Sequence, residues 1–514
     1  MADQSVGTAE ARYNLLKSDR QPYLDRAIKC SELTLPMLIT DQHRPAGSKV
    51  KTPFQSVGAR GVNNLAAKLL LALLPPNSPF FRLIIDRAVL KADDQEELKT
   101  ELDQTLADYE KAVMEDIETA GVRPQIFEGL KHMIVGGNIL FYDDDDGTRA
   151  YPLNRYVVKR DPMGSVLEII THEQVAPDTL EPGFLSRLKG QPDYKEKSGS
   201  DRVLNIYTHV KLYGDQWQVY QECMGEMIPG TSGTYPKDAC PFIPLRFNHI
   251  DGEDYGRGYV EEILGDLKTL EGLTKAITEG AAAAAKVLIL VKPNGSTRPD
   301  TISKAPNGAV RSGDANDVST LQLDKFADFR VAYQVIERIE ERLAFAFLLN
   351  TSIQRNGERV TAEEIRYMAG ELEDALGGVY SILSQEFQLP FVNVRINRLQ
   401  REGKLPVLPK DIVKPTIVTG VDALGRGHDR NKLVSYLTTL SQAVGPQAIP
   451  QYHHVEEISK RLAMSEMLDH QGLIKTREEI QQEQQAQQQQ AMLAQFGPEA
   501  MKLMAQTPQA TQGE

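Results

Sequence analysis

FADFRVAYQVIERIEERLAFAFL, residues Phe326 to Leu348, holds no proline and no glycine. Within it Phe329, Ala332, Ile336, Ile339, Leu343 and Ala346 recur at alternating steps of three and four. That spacing predicts one apolar stripe on a helix of about 34 Å, at ~1.5 Å rise per residue. Upstream, a stretch beginning near Arg257 places Val260, Ile263, Leu267, Leu270 and Ile277 on one face, with Thr274 filling the remaining position. It continues through Ala281 to Ala285, strong helix formers, and matches the later helix in length and seam. Between the two, Lys286 to Lys325 opens with a strand-like Val287 to Val291 and runs on through Pro293, Asn294, Gly295, Pro299, Pro306 and Gly308. A helix, a small Pro/Gly-bounded module and a returning helix make a finger that projects from a body. Downstream, Asn350 to Val360 reads as a turn with Arg355, Asn356, Gly357, Glu358 and Arg359 at its polar tip. Thr361 and Glu364 have capping-box spacing, so a further helix starts there and can run to Leu389, before Pro390. Gly377-Gly378 inside it permits a kink or a close helix contact. Such elements back to back suit a radial assembly, with helices in a wall and a loop pointing inward. On spacing alone, a plain helical hairpin in a globular core fits at least as well.

Composition sets the outer limits. At 514 residues the chain is too long for one core and is expected to hold three or more domains. A net charge of -13 argues against gripping nucleic acid over a broad basic face, but not against letting it pass. Cys30, Cys223 and Cys240 share no metal-ligand or redox spacing, which fits a reducing compartment without a disulfide framework. Met1 to Arg12 is polar and has no secretory apolar stretch, and the run Leu69 to Leu74 is too short for a bilayer. The expectation is a soluble intracellular protein without membrane contact.

The fold class read from the pattern is mixed α+β and mainly helical. Tyr13 to Lys29 is amphipathic and interrupted at Pro22; Val57 to Leu74 is a strong helix stopped by Pro75 and Pro76. Ala92 to Ala120 has Leu98, Leu102, Leu106, Tyr109, Val113 and Ile117 on one face and charges on the other, and Pro124 to Val135 adds a shorter helix. The period then changes. Ile139 to Tyr142 reads as a strand, and Tyr156 to Arg160 pairs with Val166 to Thr171 across the turn Asp161-Pro162-Met163-Gly164. Gln174 to Ser200 reads as a loop, and Arg202 to Lys211 with Gln216 to Cys223 as a second hairpin. Cys240 to Arg246, with Pro241 and Pro244, reads as an irregular or edge segment. After Pro390 helical pattern resumes to Arg401; Pro406, Pro409 and Pro415 mark a boundary. Asp422 to His470 is helical and more polar, and from Gln481 the chain is Gln-rich and cannot bury a core.

Chemical motifs are sparse. No GxxxxGK[ST] is present, since Gly403-Lys404 is followed by Leu405. No HExxH, GxSxG or dinucleotide fingerprint occurs. His453-His454 reads as a solvated pair, and Asp143 to Asp146 before Gly147 as an acidic hairpin tip rather than a cation site. No catalytic constellation, metal site or cofactor site is expected, and no enzyme activity.

Several long strings carry a resemblance. They are LKSDRQPYLDRA (Leu16 to Ala27), TPFQSVGARGVNNLAAKLLLALLPP (Thr52 to Pro76), GTYPKDACPFIPLR (Gly233 to Arg246), DYGRGYVEEILGDLKTLEGL (Asp254 to Leu273), GERVTAEEIRYMAGELEDALGGVYSILSQEFQLP (Gly357 to Pro390) and TGVDALGRGHD (Thr419 to Asp429). In this order, over roughly residues 13 to 430, the chain resembles the portal, or head-to-tail connector, proteins of short-tailed autographivirus-type phages. The C-terminal tail resembles that family least. The resemblance implies the viral portal fold of wing, stem, clip and crown, assembled as a dodecameric ring with a central channel. It assigns residues 1–256 to the wing, 257–285 and 326–349 to the two stem helices, and 286–325 to the clip. Residues 350–360 become a channel loop, 361–420 a long wing helix and return, 421–480 the crown and 481–514 a flexible tail.

On that footing the chain conducts double-stranded DNA without reading sequence, during packaging and ejection, and sits at the portal vertex of a virion assembled in the host cytoplasm. Arg355 and Arg359 are expected at phosphates, with Gln354, Asn356 and Glu358 beside them; the alternative is that the arginines pair with Glu358 or with Glu363 of a neighbouring copy. The clip, with Lys292, Arg298, Lys304 and Arg311, is expected to dock the terminase large subunit and then a tail adaptor protein. Major capsid, scaffolding and internal core proteins are further expected partners. The rival reading is a helical scaffold or adaptor of virion assembly without a channel.

Overall fold

The computed structural model describes residues 7–40, 47–76, 79–85, 96–145, 147–191, 194, 203–284, 288–321, 326–349, 382–407, 413–417 and 425–445, with isolated positions among 370–376 and 447–462. The chain divides into two compact units, 1–420 and 421–514.

In the first unit, helices α1 (Ala9–Glu32), α2 (Val57–Leu73), α3 (Glu96–Thr119) and α4 (Arg123–Gly136) surround one large apolar core. Each carries an apolar face at helical spacing. On α3, Leu106, Tyr109, Val113 and Ile117 are buried; on α4, Ile126, Leu130, Met133 and Ile134 are. Helix α4 packs against both α1 and α2. It ends at Gly137, whose φ of 75° is left-handed and where a Cβ would meet the Arg257 carbonyl carbon at 2.3 Å.

From there the chain enters β2 (Asn138–Asp144) and β3 (Gly147–Pro152), joined with β10 (Phe242–Arg246) in a three-stranded antiparallel sheet of order β10-β2-β3. The strands from β2 to β10 form two sheets, of which this is the first. The second consists of β4 (Tyr156–Arg160), β5 (Val166–Val175), β6 (Leu204–Tyr213), β7 (Gln216–Cys223) and the short β8 (Glu226–Met227), with β9 (Gly233–Pro236) also on β7. As expected, Pro244 lies in an edge strand, where a missing N–H costs no ladder bond on the open side. The acidic run forms the β2–β3 hairpin as read, but Asp143 turns inward and pairs with Arg395. Among the described residues no cluster of ligating side chains fits a metal ion.

Four expectations about proline-rich stretches fail, each for a local reason. Helix α1 runs unbroken through Pro22, because Pro22 and Ser18, whose carbonyl loses its partner, both lie on the exposed side. Gln174 to Ser200 is not a plain loop. It holds α5 (Pro182–Lys189), which begins on a proline, is capped by Gly190 and buries Phe184 and Leu188 against Ile206 and Cys223. Pro390 does not end a helix. The preceding residues Ser384–Gln388 widen into a π-turn, with Leu389 N bonded to Ser384 O, and α10 (Leu389–Arg401) continues with Pro390 in its first turn. Pro415 lies within β13 (Val413–Ile417), opposite Leu83 of β1 (Phe81–Ile85), in a two-stranded ladder whose free edges accommodate it.

The stretch from Arg257 also differs from one continuous helix. A single turn α6 (Tyr259–Glu262) breaks at Ile263 (φ -105°, ψ 11°) before α7 (Leu264–Ala284). The module that follows contains β11 (Leu288–Val291), α8 (Pro299–Ser303) and β12 (Val318–Leu321), and the chain returns through α9 (Phe326–Ala346). In the second unit α11 (Gly425–Val444) is described, and there Tyr436 Oη lies 2.9 Å from His453 Nε2. Among the described residues no helix is long and apolar enough to cross a membrane. The three cysteines are buried and unpaired, and burial pushes the Cys30 thiol up to about 12.

Helix α1 is fixed to the six-stranded sheet by charge. Glu222 accepts the first amides of α1, Ala9 N at 2.9 Å and Glu10 N at 3.3 Å, which suits a carboxylate at a helix N-terminus. Arg12 donates from Nη2 to Glu168 Oε2 at 2.8 Å, and His209 Nε2 lies 2.8 Å from Glu168 Oε1. Burial alone raises the Glu168 carboxyl, but hydrogen bonds and charge from His209 and Arg12 override it and pull it down from 4.5 to about 2. A carboxyl lowered in the folded state contributes stability above its unfolded value and loses it as pH falls from about 4.5 towards 2. Thermal unfolding followed from pH 7 to pH 2.5 is expected to show this loss. Glu168→Gln should flatten that window and cost on the order of 2 kcal/mol at pH 7, below the full linkage value because Arg12 reaches solvent. An unchanged acid limb in Glu168→Gln contradicts the assignment.

Candidate functional site

The finger foreseen from the sequence forms as α7, the 288–321 module and α9, with α9 packed back on α7. Of the seam residues, Val260, Leu267, Leu270, Ile336, Ile339 and Leu343 are buried in the main core, and Ile263 and Ile277 are partly buried against it. Phe329 lies on α9, but its side chain is outside the described residues. Arg342 and Asp266 tie the two helices by an exposed ion pair of 2.8 Å, a small contribution. Outside the seam α9 also exposes Val331 and Val335, one turn apart, and Phe345 ten residues on, with Arg338 and Arg342 on the face between them. Phe345 is 77% and Val331 61% exposed.

The module knits itself together. Strands β11 and β12 pair antiparallel from Leu288↔Leu321 to Val291↔Val318. Asp317 accepts from Thr297 N and Ser296 Oγ, and its backbone O accepts Lys292 N at 2.9 Å. Thr297 Oγ1 accepts Asp314 N at 2.9 Å. Lys292, Arg298, Lys304 and Arg311 are all exposed on this module, Lys304 within 3.9 Å of Asp300. The residues Gln354, Arg355, Asn356, Glu358 and Arg359, and the pair Gly377 and Gly378, lie outside the described residues.

What joins the finger to the body was not foreseen. At the end of α9, Leu349 N bonds to Ala344 O at 2.7 Å and Leu348 N to Phe345 O at 3.0 Å, the paired bonds of a Schellman cap. The left-handed position of that cap is usually glycine; here it is Leu348, with φ of 54°. A β-carbon in that conformation costs roughly 1 kcal/mol, so neighbouring contacts must hold it. Three successive carbonyls are taken by side chains from other elements. Tyr259 Oη donates to Ala346 O at 2.9 Å, Asn64 Nδ2 to Phe347 O and Leu348 O at 3.0 Å each, and Lys68 Nζ to Leu348 O at 3.0 Å. Lys68 is buried, with its cation at the negative end of α9.

The Phe347 ring, fully buried, lies flat on Gly61, where a Cβ would come within 2.2 Å of its Cγ. Gly61, Asn64 and Lys68 stand at steps of three and four on α2, a polar and small stripe beside its apolar face. That stripe was the available signal. Gln388 of the π-turn donates from Nε2 to Leu73 O at the other end of the same helix. Gly61→Ala is expected to force the Phe347 ring aside and to lower stability by about 1–3 kcal/mol. Chemical denaturation of the variant against the parent checks this, and a cost below about 0.5 kcal/mol means that the ring moves freely.

Comparison with known proteins gives the family. A family model described as bacteriophage head to tail connecting protein matches residues 6–468. The chain is 43% identical to the portal protein of Escherichia phage T7 over 496 residues, 94% of this chain and 91% of that one. It is 34% identical to the portal protein of Enterobacteria phage SP6 over 92% of each. It is 30% identical to that of Pseudomonas phage phiKMV over 93% of this chain and 94% of the other. A chain from the neck of an empty GTA particle aligns over 81% of this one at 10% identity and a TM-score of 0.37, too low to carry an argument. With a match across nearly the whole sequence and three relatives at or above 30% identity, the chain belongs to the bacteriophage head to tail connecting protein family.

Proposed function

We propose that copies of this chain close into a dodecameric ring at one capsid vertex, with the α7–α9 pair around a central channel for double-stranded DNA. The observation that carries this reading is the apolar surface that α9 leaves exposed outside its seam. Its seam is already used by α7, yet Val331, Val335 and Phe345 remain exposed on a neighbouring face. Large apolar side chains left exposed on a helix mark an interaction surface, and a cyclic assembly of identical copies covers them on every copy.

The channel works without chemistry of its own. Twelve chains of -13 carry a charge on the order of -150, which keeps DNA off most of the wall. Residues 350–360 are the exception: Arg355 and Arg359 touch phosphates, Gln354 and Asn356 bond to them without a fixed charge, and Glu358 stands beside the arginines. It is independent of sequence, because phosphates carry no base information. Few such contacts hold DNA by counterion release while leaving it free to slide. The 288–321 module, with Lys292, Arg298, Lys304 and Arg311, is the docking end for the terminase large subunit and then the tail adaptor. The wing meets capsid and scaffolding proteins, and the energy of packaging comes from the separate motor. In this reading the chain works in the virion, after assembly in the host cytoplasm.

Native mass spectrometry with negative-stain imaging of the purified chain is expected to give rings of about twelve copies with a central hole. A stable monomer or dimer at every concentration, and in the presence of capsid and scaffolding proteins, overturns the ring in favour of a channel-free adaptor. Within assembled rings, Arg355→Ala with Arg359→Ala is expected to leave ring formation intact and to reduce the yield of DNA-filled heads about tenfold or more, as lost phosphate contacts weaken retention. Full genome retention by the double variant removes the loop from the DNA path.

A further inference from the structure

We infer that a cavity lined by both sheets of the first unit is a binding site for an aliphatic polyamine. The cavity measures about 480 Å³ and is bounded by the β2–β3 hairpin, by residues of β5, β6 and β7, and by Tyr235 of β9 and Phe242 of β10. That is the size of a small-molecule site, and its walls combine aromatic rings with a few polar groups. One half of it already holds a cation, supplied by the chain itself. Arg149 lies over the Tyr151 ring, 4.6 Å from its centroid, and pairs through Nη1 with Glu173 Oε1 at 2.5 Å. Tyr151 Oη donates to the other oxygen of Glu173 at 3.1 Å. A cation thus rests on an aromatic face beside a carboxylate that is held by a phenol.

The other half repeats these parts without the cation. Tyr142 Oη donates to Asp144, the Phe242 ring packs on Tyr142 with centroids 4.5 Å apart, and Tyr235 lines the same space. The carboxylates on either side of Asp144 meet arginines of α10: Asp143 pairs with Arg395, and Asp145 faces Arg401 at 3.7 Å. Arg398 reaches only the backbone O of Asp144, at 3.3 Å, so among the described residues the Asp144 carboxylate has no ion pair. The Tyr142 and Tyr235 phenols are both pushed up, first by burial and then by Asp144, as a negative field in the space they share requires.

The register of the hairpin gives the shape of the ligand. Asp144 pairs with Gly147 at the tip and Leu140 with Tyr151, so Asp144 and Tyr151 stand four ladder positions apart, about 13 Å at ~3.3 Å per residue. Alternation puts Tyr142, Asp144, Arg149 and Tyr151 on one face of the hairpin. Two carboxylates set apart in this way, with rings between them, suit a chain of methylenes that carries an ammonium at each end. The methylenes pack on the rings, one ammonium meets Asp144, and the other shares Glu173 with Arg149. A compact metal ion is a poor match, because the oxygens do not converge on one point.

Isothermal titration of the full-length chain with spermidine tests the site. One saturable site per chain is expected, and magnesium chloride at matched ionic strength leaves it in place. Asp144→Asn keeps the shape of the side chain and removes its charge, and is expected to weaken binding about tenfold or more. Tyr235→Ala is expected to act in the same direction, whereas Tyr235→Phe, which keeps the ring face, stays near the parent. If Tyr235→Ala fails to fold, Asp144→Asn decides. No binding, equal binding by Asp144→Asn, or loss of binding to magnesium overturns the site, the last two because spermidine then only condenses on an acidic surface. N-acetyl-lysine amide carries a single ammonium. If it binds as tightly as spermidine, the polyamine assignment falls and the cavity is instead a receptor for a lysine side chain of a partner.

Discussion

The contact of Phe347 with Gly61 is the joint on which the architecture turns. Without a β-carbon on α2 the ring reaches the helix backbone, and only at that distance can Asn64 and Lys68 reach the carbonyls at the end of α9. Tyr259 closes the same end from α6, so three elements far apart in sequence meet at one helix terminus. The seam between α7 and α9 supplies the bulk of the apolar burial in the finger. The joint supplies direction, fixing how the helix pair leaves the body.

A second set of bonds joins the rest of the body. Arg395 of α10, fully buried, reaches Asp116 of α3 and Asp143 of β2, and Arg398 places its Nη2 2.6 Å from the same Asp116. Charges this deep bring little net stability, because desolvation offsets most of their attraction. What they add is exclusivity. A buried arginine tolerates only an arrangement in which its carboxylates are present, so α10 has one acceptable seat between helix layer and sheet. Glu168 of β5, in the six-stranded sheet, seats α1 in a similar way, with Arg12 and His209.

Long periodic elements were legible because burial repeats with the backbone. The apolar steps of α2, α3, α4, α7 and α9 each correspond to a face that meets the core, and the β4–β5 and β6–β7 hairpins follow from their turns. Proline was the main source of misreading. Its effect depends on whether the freed carbonyl faces solvent, as at Ser18, on whether a wider turn makes room, as at Ser384–Gln388, and on which strand edge is open, as at Pro415. None of these is a property of the local residues. The helix pair and its intervening module were visible in outline for the same reason as the other helices. The joint was not, because an asparagine and a lysine on α2 look solvated until a partner about 280 positions away is brought to them. Long identical strings supplied what periodicity could not, the family.

The 288–321 module has a further consequence. Its strands pair with each other, and Asp314, Asp317 and Thr297 bond to groups of the same module. Among the described residues its hydrogen bonds and ion pairs close within it. It is a cassette in the engineering sense. Substitution of its exposed side chains leaves the helices beneath their seam and the joint on α2 its geometry, so the tip can vary without renegotiating the body that holds it.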